Sequence, residues 1–241
     1  MRILITNDDG INSPVLPRFV EWAKRYGEVT VVAPKFEQSG KSQAIDFGRH
    51  SEVKKVDLCN GCDAYYMDST PADCVRFAFI GLKKQYDMVF SGINRGYNLG
   101  EDIAYSGTAG AALEATRFGI NAIAFSTDIT TFDYALSEID RAYSFIIDNR
   151  LFDHARVYNV NFPAEQSRGI CITRQGAMFF SDDFVHLGDD VYMQTGEPLG
   201  YDGDDTTIDI HAVLNGYISI CPLTPERTDL VAYEKLKCLK G

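Results

Sequence analysis

Residues 2–14, "RILITNDDGINSP", decide the fold. Arg2 to Thr6 is short, apolar and rich in β-branched side chains, the pattern of a strand covered on both faces in an α/β sheet. Gly10 and then Ser13-Pro14 punctuate the chain, with Ser13 placed as N-cap and Pro14 as the first helical residue. Asp8 and Asp9 therefore occupy the turn from the carboxyl end of a strand into a helix. In open α/β sheets that edge is where ligands bind. Two adjacent anions there repel each other unless a proton or a cation relieves them.

Outward from this turn the same alternation repeats. A helix from about Pro14 to Tyr26 precedes "EVTVVAP" (28–34), an apolar run that stops at Pro34. Next, "SEVKKVDL" (51–58) and "DAYYMD" (63–68) flank Asn60-Gly61, the preferred dipeptide of a two-residue type I′ hairpin turn. "STPADCVRFAFIGLKK" (69–84) has Thr70 as N-cap, Pro71 at the first helical position and Asp73 in the first turn. "YDMVFSGIN" (86–94), "INAIAFST" (120–127) and "ARVYNVNFP" (155–163) read as further buried strands. Between them lie two helices, "TAGAALEATRFG" (108–119), capped by Gly119, and "FDYALSEIDRAYSFIIDN" (132–149). Such alternation with short connections predicts a doubly wound, mostly parallel, Rossmann-like α/β sheet with helices on both faces and right-handed crossovers.

The pattern changes at about Gly176. "AMFFSDDFVHLGDDVYMQTGEPLGYDGDD" (177–205) is acidic, aromatic and rich in glycine, without helical period, and reads as a β-hairpin arm or flap. A short helix, "TIDIHAVLNG" (207–216), a strand, "YISICPL" (217–223), and a helical tail, "TDLVAYEKLKCLKG" (228–241), complete the chain. With no repeat and no linker rich in Pro, Gly or Ser, the expectation is one α/β domain. Its core spans 1–175 and 205–225, with the arm at 176–204 and the tail at 226–241.

Composition narrows the function classes. A chain of 241 residues, 45% hydrophobic, has ample material for a packed core. The net charge of -11 argues against a face built for nucleic acid polymers, because binding them rests on neutralising many phosphates. No stretch reaches the roughly 18 apolar residues of a membrane span, and the first residues run straight into a strand, so a cytoplasmic protein with no membrane partner is expected. Six scattered cysteines do not make a secreted disulfide framework. Cys59 and Cys62 bracket the expected hairpin turn. A hairpin tip explains their spacing more simply than a zinc knuckle, which needs a second ligand pair.

Four loops fall at carboxyl ends of strands: "NDDG" (7–10), "EQSGKSQ" (37–43), "SGINRGYNLG" (91–100) and "AYSGTAG" (104–110). All offer oxygen donors and flexible backbone. Asp8 and Asp9, with a hydroxyl and an amide oxygen from neighbouring loops, would make an oxygen-only cation site suited to Mg²⁺ or Mn²⁺. The plain alternative is that the acids only occupy a turn. "SGKS" (39–42) resembles the end of a phosphate-binding P-loop, but the first glycine of that motif would fall at Lys35. That loop is better read as bending over the first strand's site and offering Ser39. Ser106, Gly107 and Thr108 begin a helix whose free N–H groups favour an anion such as phosphate, although serine caps many helices without any ligand. No histidine falls in the four loops.

Together these stretches resemble the SurE family of metal-dependent nucleoside monophosphate phosphatases. The resemblance rests on "NDDG", "VVAP" then "QSG", "STPADCV", "SGINRGYNLG" with "YSGTAGAALEA", "NVNFP" and "GYISICPLTP", in order along nearly the whole chain. Ser69 stands where that family more often has glycine, and "QSGKSQAI" departs from its usual second loop beyond Gly40. The resemblance implies a 5′-nucleotidase with one divalent cation per subunit, Mg²⁺ or Mn²⁺. Its metal ligands fall on Asp8, Asp9, Ser39 and Asn94, and its phosphate contacts on Asn98, Ser106, Gly107 and Thr108. It also implies a homodimer or homotetramer in which arm and tail are exchanged. Hydrolysis through a metal-activated water, attack by Asp8 itself and Asp8 acting as base all remain open at this level. A receiver-like phosphoacceptor or a noncatalytic nucleotide-binding protein are the readings of another class.

Overall fold

The computed structural model describes residues 1–239. The chain runs β1 (Arg2–Thr6), α1 (Leu16–Ala23), β2 (Glu28–Pro34), β3 (Val53–Val56), β4 (Asp63–Met67), α2 (Pro71–Arg76), β5 (Met88–Arg95) and α3 (Gly107–Ala115). It continues with β6 (Asn121–Thr127), α4 (Asp133–Asp148), β7 (Val157–Asn161), β8 (Ile170–Ile172), β9 (Asp183–Gly188), β10 (Val191–Thr195), α5 (Asp209–Leu214), β11 (Ile218–Leu223) and α6 (Leu230–Leu236). A nine-stranded sheet has the order β3-β4-β2-β1-β5-β6-β7-β11-β8. Its centre, from β4 to β7, is parallel throughout. The margins are mixed, since β3 runs against β4 and β11 against β7, while β8 is parallel to β11.

Helices cover both faces, as expected. On one face Ile3, Ile5 and Phe90 pack with Phe19 and Trp22 of α1 and with Ile139, Tyr143 and Ile146 of α4. On the other, Leu4, Val89, Ala122 and Ala124 meet Cys74 and Val75 of α2 and the small residues Ala111, Ala112 and Ala115 of α3. Both faces of each central strand are dry, which is why these strands read as unbroken apolar runs. The alanines of α3 let that helix lie close to β5 and β6, where the site is built.

Local sequence accounts for most boundaries. The Thr70 side chain accepts from Asp73 N at 3.1 Å and caps α2, with Pro71 in its first turn. Gly119, at φ +73°, ends the 3₁₀ turn that follows α3. Two local expectations are corrected. Helix α1 begins at Leu16 rather than Pro14, because Ser13 closes tight turns instead: its N–H donates to Gly10 O and its carbonyl accepts from Leu16 N, both at 3.1 Å. The β3/β4 register, Val53↔Met67 to Val56↔Ala64, leaves a turn longer than two residues. Cys59 and Cys62 do lie at that tip, and they are joined to each other as a disulfide.

The arm is the antiparallel pair β9/β10, a sheet separate from the core. Helix α6 follows as the tail, whose residues 240 and 241 lie outside the described residues. Among the described residues no helix is long and apolar enough to cross a membrane.

Candidate active site

The strand order reverses at β1, with β2 on one side and β5 on the other, and the loops after these strands converge above that point. Asn7 forms the turn out of β1: its Nδ2 donates to Gly10 O at 3.0 Å and its Oδ1 accepts from Gly10 N at 3.1 Å. This bracket directs Asp8 toward α3. The Asp8 carboxylate is 4% exposed. Its Oδ2 accepts from Thr108 N at 3.2 Å, and its Oδ1 accepts from the Thr108 hydroxyl. The carbonyl of Asp8 accepts from Gln38 N at 2.7 Å, which ties the second loop to the first. Burial pushes the Asp8 pKa above its usual value, against the opposing pull of the Thr108 bonds.

Gly107 makes this approach possible. A Cβ there would stand 3.0 Å from Asp8 Cβ and 3.1 Å from its Oδ2, close enough that Asp8 would have to give by a few tenths of an ångström. Ser106 caps the same helix, its Oγ accepting from Ala109 N at 3.0 Å. With Thr108 N held by Asp8 and Ala109 N by Ser106, the Gly107 N–H has no partner among the described residues.

Asp9 is half-buried, and its Oδ2 is buried without any hydrogen-bond partner. Burial first, and then the charge of Asp8, push its pKa up to about 7, while a backbone bond from Arg95 opposes the shift. The backbone and charge of Arg95 offset this only in part, and Oδ2 of an ionised Asp9 has no donor of its own. A cation supplies that compensation, so the donor chemistry here fits a divalent metal. Among the described residues no three His, Cys, Asp or Glu side chains converge on one point. The acid pair must therefore be completed by hydroxyl, amide or carbonyl oxygens or by water.

Ser39 follows Gln38, which is bonded to Asp8, and Asn94 precedes Arg95, whose backbone bonds Asp9, but both side chains bond within their own loops. Ser39 Oγ donates to Glu37 Oε1 at 2.7 Å, and Asn94 Nδ2 donates to Gly96 O at 2.8 Å. Asn98 is turned inward: its Nδ2 donates to Ser126 Oγ at 2.8 Å and its N to Asn161 Oδ1 at 2.9 Å. Its carbonyl accepts from Asn159 Nδ2 at 2.8 Å and Asn161 Nδ2 at 3.0 Å. Asn159 and Asn161 were legible only as parts of "NVNFP", with no indication of what they hold. Glu37 was missed altogether, although it sits two positions before Ser39, and its charge raises both Asp8 and Asp9. A cleft of about 390 Å³ is lined by Ser42, Gln43 and Ser106 among others, but by neither aspartate.

The chain as a whole is similar to known proteins. The family model described as "Survival protein SurE" matches residues 3–182. The chain belongs to the SurE family. It is 38% identical over 250 residues to the protein named 5'-nucleotidase SurE 1 of Thermus thermophilus, covering 100% of this chain and 97% of that protein. It is 37% identical to 5'-nucleotidase SurE of Syntrophotalea carbinolica, covering 99% of this chain and 96% of that one. The crystal structure of the SurE protein from Aquifex aeolicus superposes with a TM-score of 0.80 at 34% identity, covering 98% of both chains. The arm and the mixed right-hand margin of the sheet, both beyond the plain doubly wound pattern, are thus within the part of the chain matched to a SurE structure.

Proposed function

We propose that the protein is a metal-dependent 5′-nucleotidase that hydrolyses nucleoside monophosphates to nucleoside and inorganic phosphate, with 3′-monophosphates as a further substrate class. The observation that carries this reading is the unpartnered, buried Asp9 Oδ2 beside Asp8, set against the start of α3. One Mg²⁺ or Mn²⁺ per subunit would be held by Asp8, Asp9, Ser39 and Asn94. When bound, the cation polarises a phosphate oxygen and acidifies a water molecule.

The chain's own groups do the rest. The Gly107 N–H and the Ser106 hydroxyl, at a helix amino terminus, receive the phosphate oxygens and stabilise the charge that develops on them, while Thr108, whose hydroxyl and N–H both go to Asp8, lines the same phosphate site and fixes that carboxylate beside it. Asn98 contributes through the second hydrogen of its Nδ2, the first being donated to Ser126 Oγ, or by shaping the loop. Both Asp8 oxygens already accept from Thr108, which suits a fixed ligand better than a nucleophile that must move onto phosphorus. A water molecule is accordingly the attacking group. The leaving oxygen takes its proton from solvent, because the four site loops contain no histidine.

The proposed assembly is a homodimer or homotetramer in the cytoplasm, with arm and tail reaching onto neighbouring copies. The arm supports this: all of β9 and nearly all of β10 are exposed, and an isolated two-stranded hairpin is marginal in water.

The test is phosphate release from a panel of nucleoside monophosphates with Mg²⁺, Mn²⁺ or EDTA, for the wild type and Asp8→Asn. Turnover should require metal and fall by about a hundred- to a thousandfold in the variant, the scale of losing one preorganised electrostatic group of the site. Metal-dependent nucleotide binding without phosphate release would leave only the noncatalytic reading.

A further inference from the structure

The loop that follows Ser39 is fastened to the two helices behind it through one buried carboxylate. Glu114 on α3 is 4% exposed. Its Oε1 accepts from Arg76 Nη1 of α2 at 3.0 Å, and its Oε2 accepts from Gln43 Nε2 at 2.8 Å. A buried carboxylate is tolerated only when paired and fully hydrogen-bonded, and here the two partners come from two different elements. Nothing in the chemistry proposed above uses Glu114.

We infer that Glu114 is a positioning residue, which holds the residue 39–43 loop over the acid pair by tying Gln43 to Arg76 and so sets the affinity for the divalent cation. This rests on the proposed metal-dependent reading.

Five further contacts fix the chain on either side of Ser39. Upstream, Gln38 N is anchored on Asp8 O. Downstream, Ser42 N donates to Tyr105 O at 2.9 Å, and Ser42 holds φ at +52°, a conformation that side chains other than glycine adopt only under constraint. The Ser42 carbonyl lies directly on α3 at Gly110, where a Cβ would come within 2.2 Å of it. Beyond Gln43 the chain is pinned to α2 by Thr70 Oγ1, which donates to Ala44 O at 2.7 Å, and by Asp73 Oδ2, which accepts from Asp46 N at 2.8 Å. Ser39, Gly40 and Lys41 therefore bridge two fixed points. Gln43 is the side chain that fastens the far one to α3, and the half-buried Gln43 reaches no other described partner.

Replacement of Glu114 by glutamine keeps the shape but offers one oxygen in place of two, so one of the two donors faces another donor. The reciprocal pair Gln43→Glu with Glu114→Gln restores the bond with its polarity reversed, while the oxygen at position 114 still serves Arg76. Gln43→Met removes the bond from the loop side and leaves Glu114 paired with Arg76.

Mn²⁺ affinity of the purified proteins, read from the electron paramagnetic resonance of free Mn²⁺, tests the inference alongside thermal midpoints. Glu114→Gln and Gln43→Met should each weaken Mn²⁺ binding roughly tenfold, the lower end of what supporting partners of metal ligands cost, and the reciprocal double variant should regain most of it. Wild-type affinity in Gln43→Met would overturn the inference, and so would failure of the double variant to recover. If Glu114→Gln does not fold, Gln43→Met still decides. Absence of Mn²⁺ binding by the wild type itself is a different result: it brings down the metal reading, and this inference with it.

Discussion

Asp9 joins a buried, unpartnered oxygen to a neighbour of the same charge, and its titration follows from both. In metal-free protein it keeps its proton up to about pH 7, whereas the unfolded chain releases it near the ordinary value of 3.8. Between those values the folded state binds more protons than the unfolded one, so stability falls as pH rises through that window. Below it both states are protonated and Asp9 contributes nothing. Above it the cost is of the order of a few kcal/mol, the free energy that corresponds to such a shift. Thermal melts of EDTA-treated protein should therefore show a midpoint that falls toward neutral pH, and Asp9→Asn should flatten that slope while abolishing Mn²⁺ binding. Equal slopes in the two proteins would assign the titration elsewhere. At this scale Asp8, Asp9, Gly107 and Thr108 were legible because each stands at a strand end or a helix start that local pattern can place. The inward turn of Asn98 was not, because Ser126, Asn159 and Asn161 reach it from strands far along the chain.

Elements were legible where a single stretch carries its own reason to form. Thr70-Pro71 starts α2, Gly119 ends the turn after α3, and the apolar runs of β1, β2, β5, β6 and β7 mark strands buried on both faces. Beyond pattern lay β8, three residues long, and the antiparallel placing of β11, since both depend on which edge remains open once the parallel centre has formed. The root of the arm is a junction of the same distant kind. Asp209, fully buried at the start of α5, accepts from Gly100 N at 2.9 Å and from Gly176 N and Ile210 N at 2.8 Å. Asp102 accepts in turn from Phe179 N at 3.0 Å and Phe180 N at 2.9 Å. The loop between β5 and α3, which carries Asn98 and Ser106, is thus stitched to the base of the arm. Asp209→Ala would strip three N–H groups, those of the buried Gly100 and Ile210 and the half-buried Gly176, of their acceptor, at about 1–3 kcal/mol for each buried one left unsatisfied. The expected result is a lower thermal midpoint together with faster hydrogen exchange at the amides of Gly100 and Gly176. Unchanged exchange at those two amides would show that the junction is held by other contacts.

At the scale of the whole molecule, the distribution of apolar surface sets the arm and tail apart from the rest. The two clusters that bury the central sheet draw nothing from β9, β10 or α6. Those elements instead display Phe184 at 62%, Leu187 at 57% and Tyr192 at 61% exposed on the arm, and Val231 at 67% and Leu236 at 57% on the tail helix. On β9 the side chains alternate, so that Val185 and Leu187 share one face with Met193 while Phe184 shares the other with Tyr192, and neither face is covered by this chain. A hairpin apolar on both faces is stable only when it is packed against something else, and a second copy of the same chain is always present at matching concentration. The wild type should therefore sediment as a dimer or tetramer. Phe184→Glu with Leu187→Glu, which places charge on both faces, should shift it toward monomer. Because β9 and β10 add nothing to the buried clusters, the substituted chain should keep its circular dichroism spectrum, which separates loss of assembly from loss of fold. A wild type that sediments as a monomer at all concentrations would remove the case for exchange of either element. A variant that stays assembled would move the interface from the arm to α6, where truncation after Arg227 would then decide.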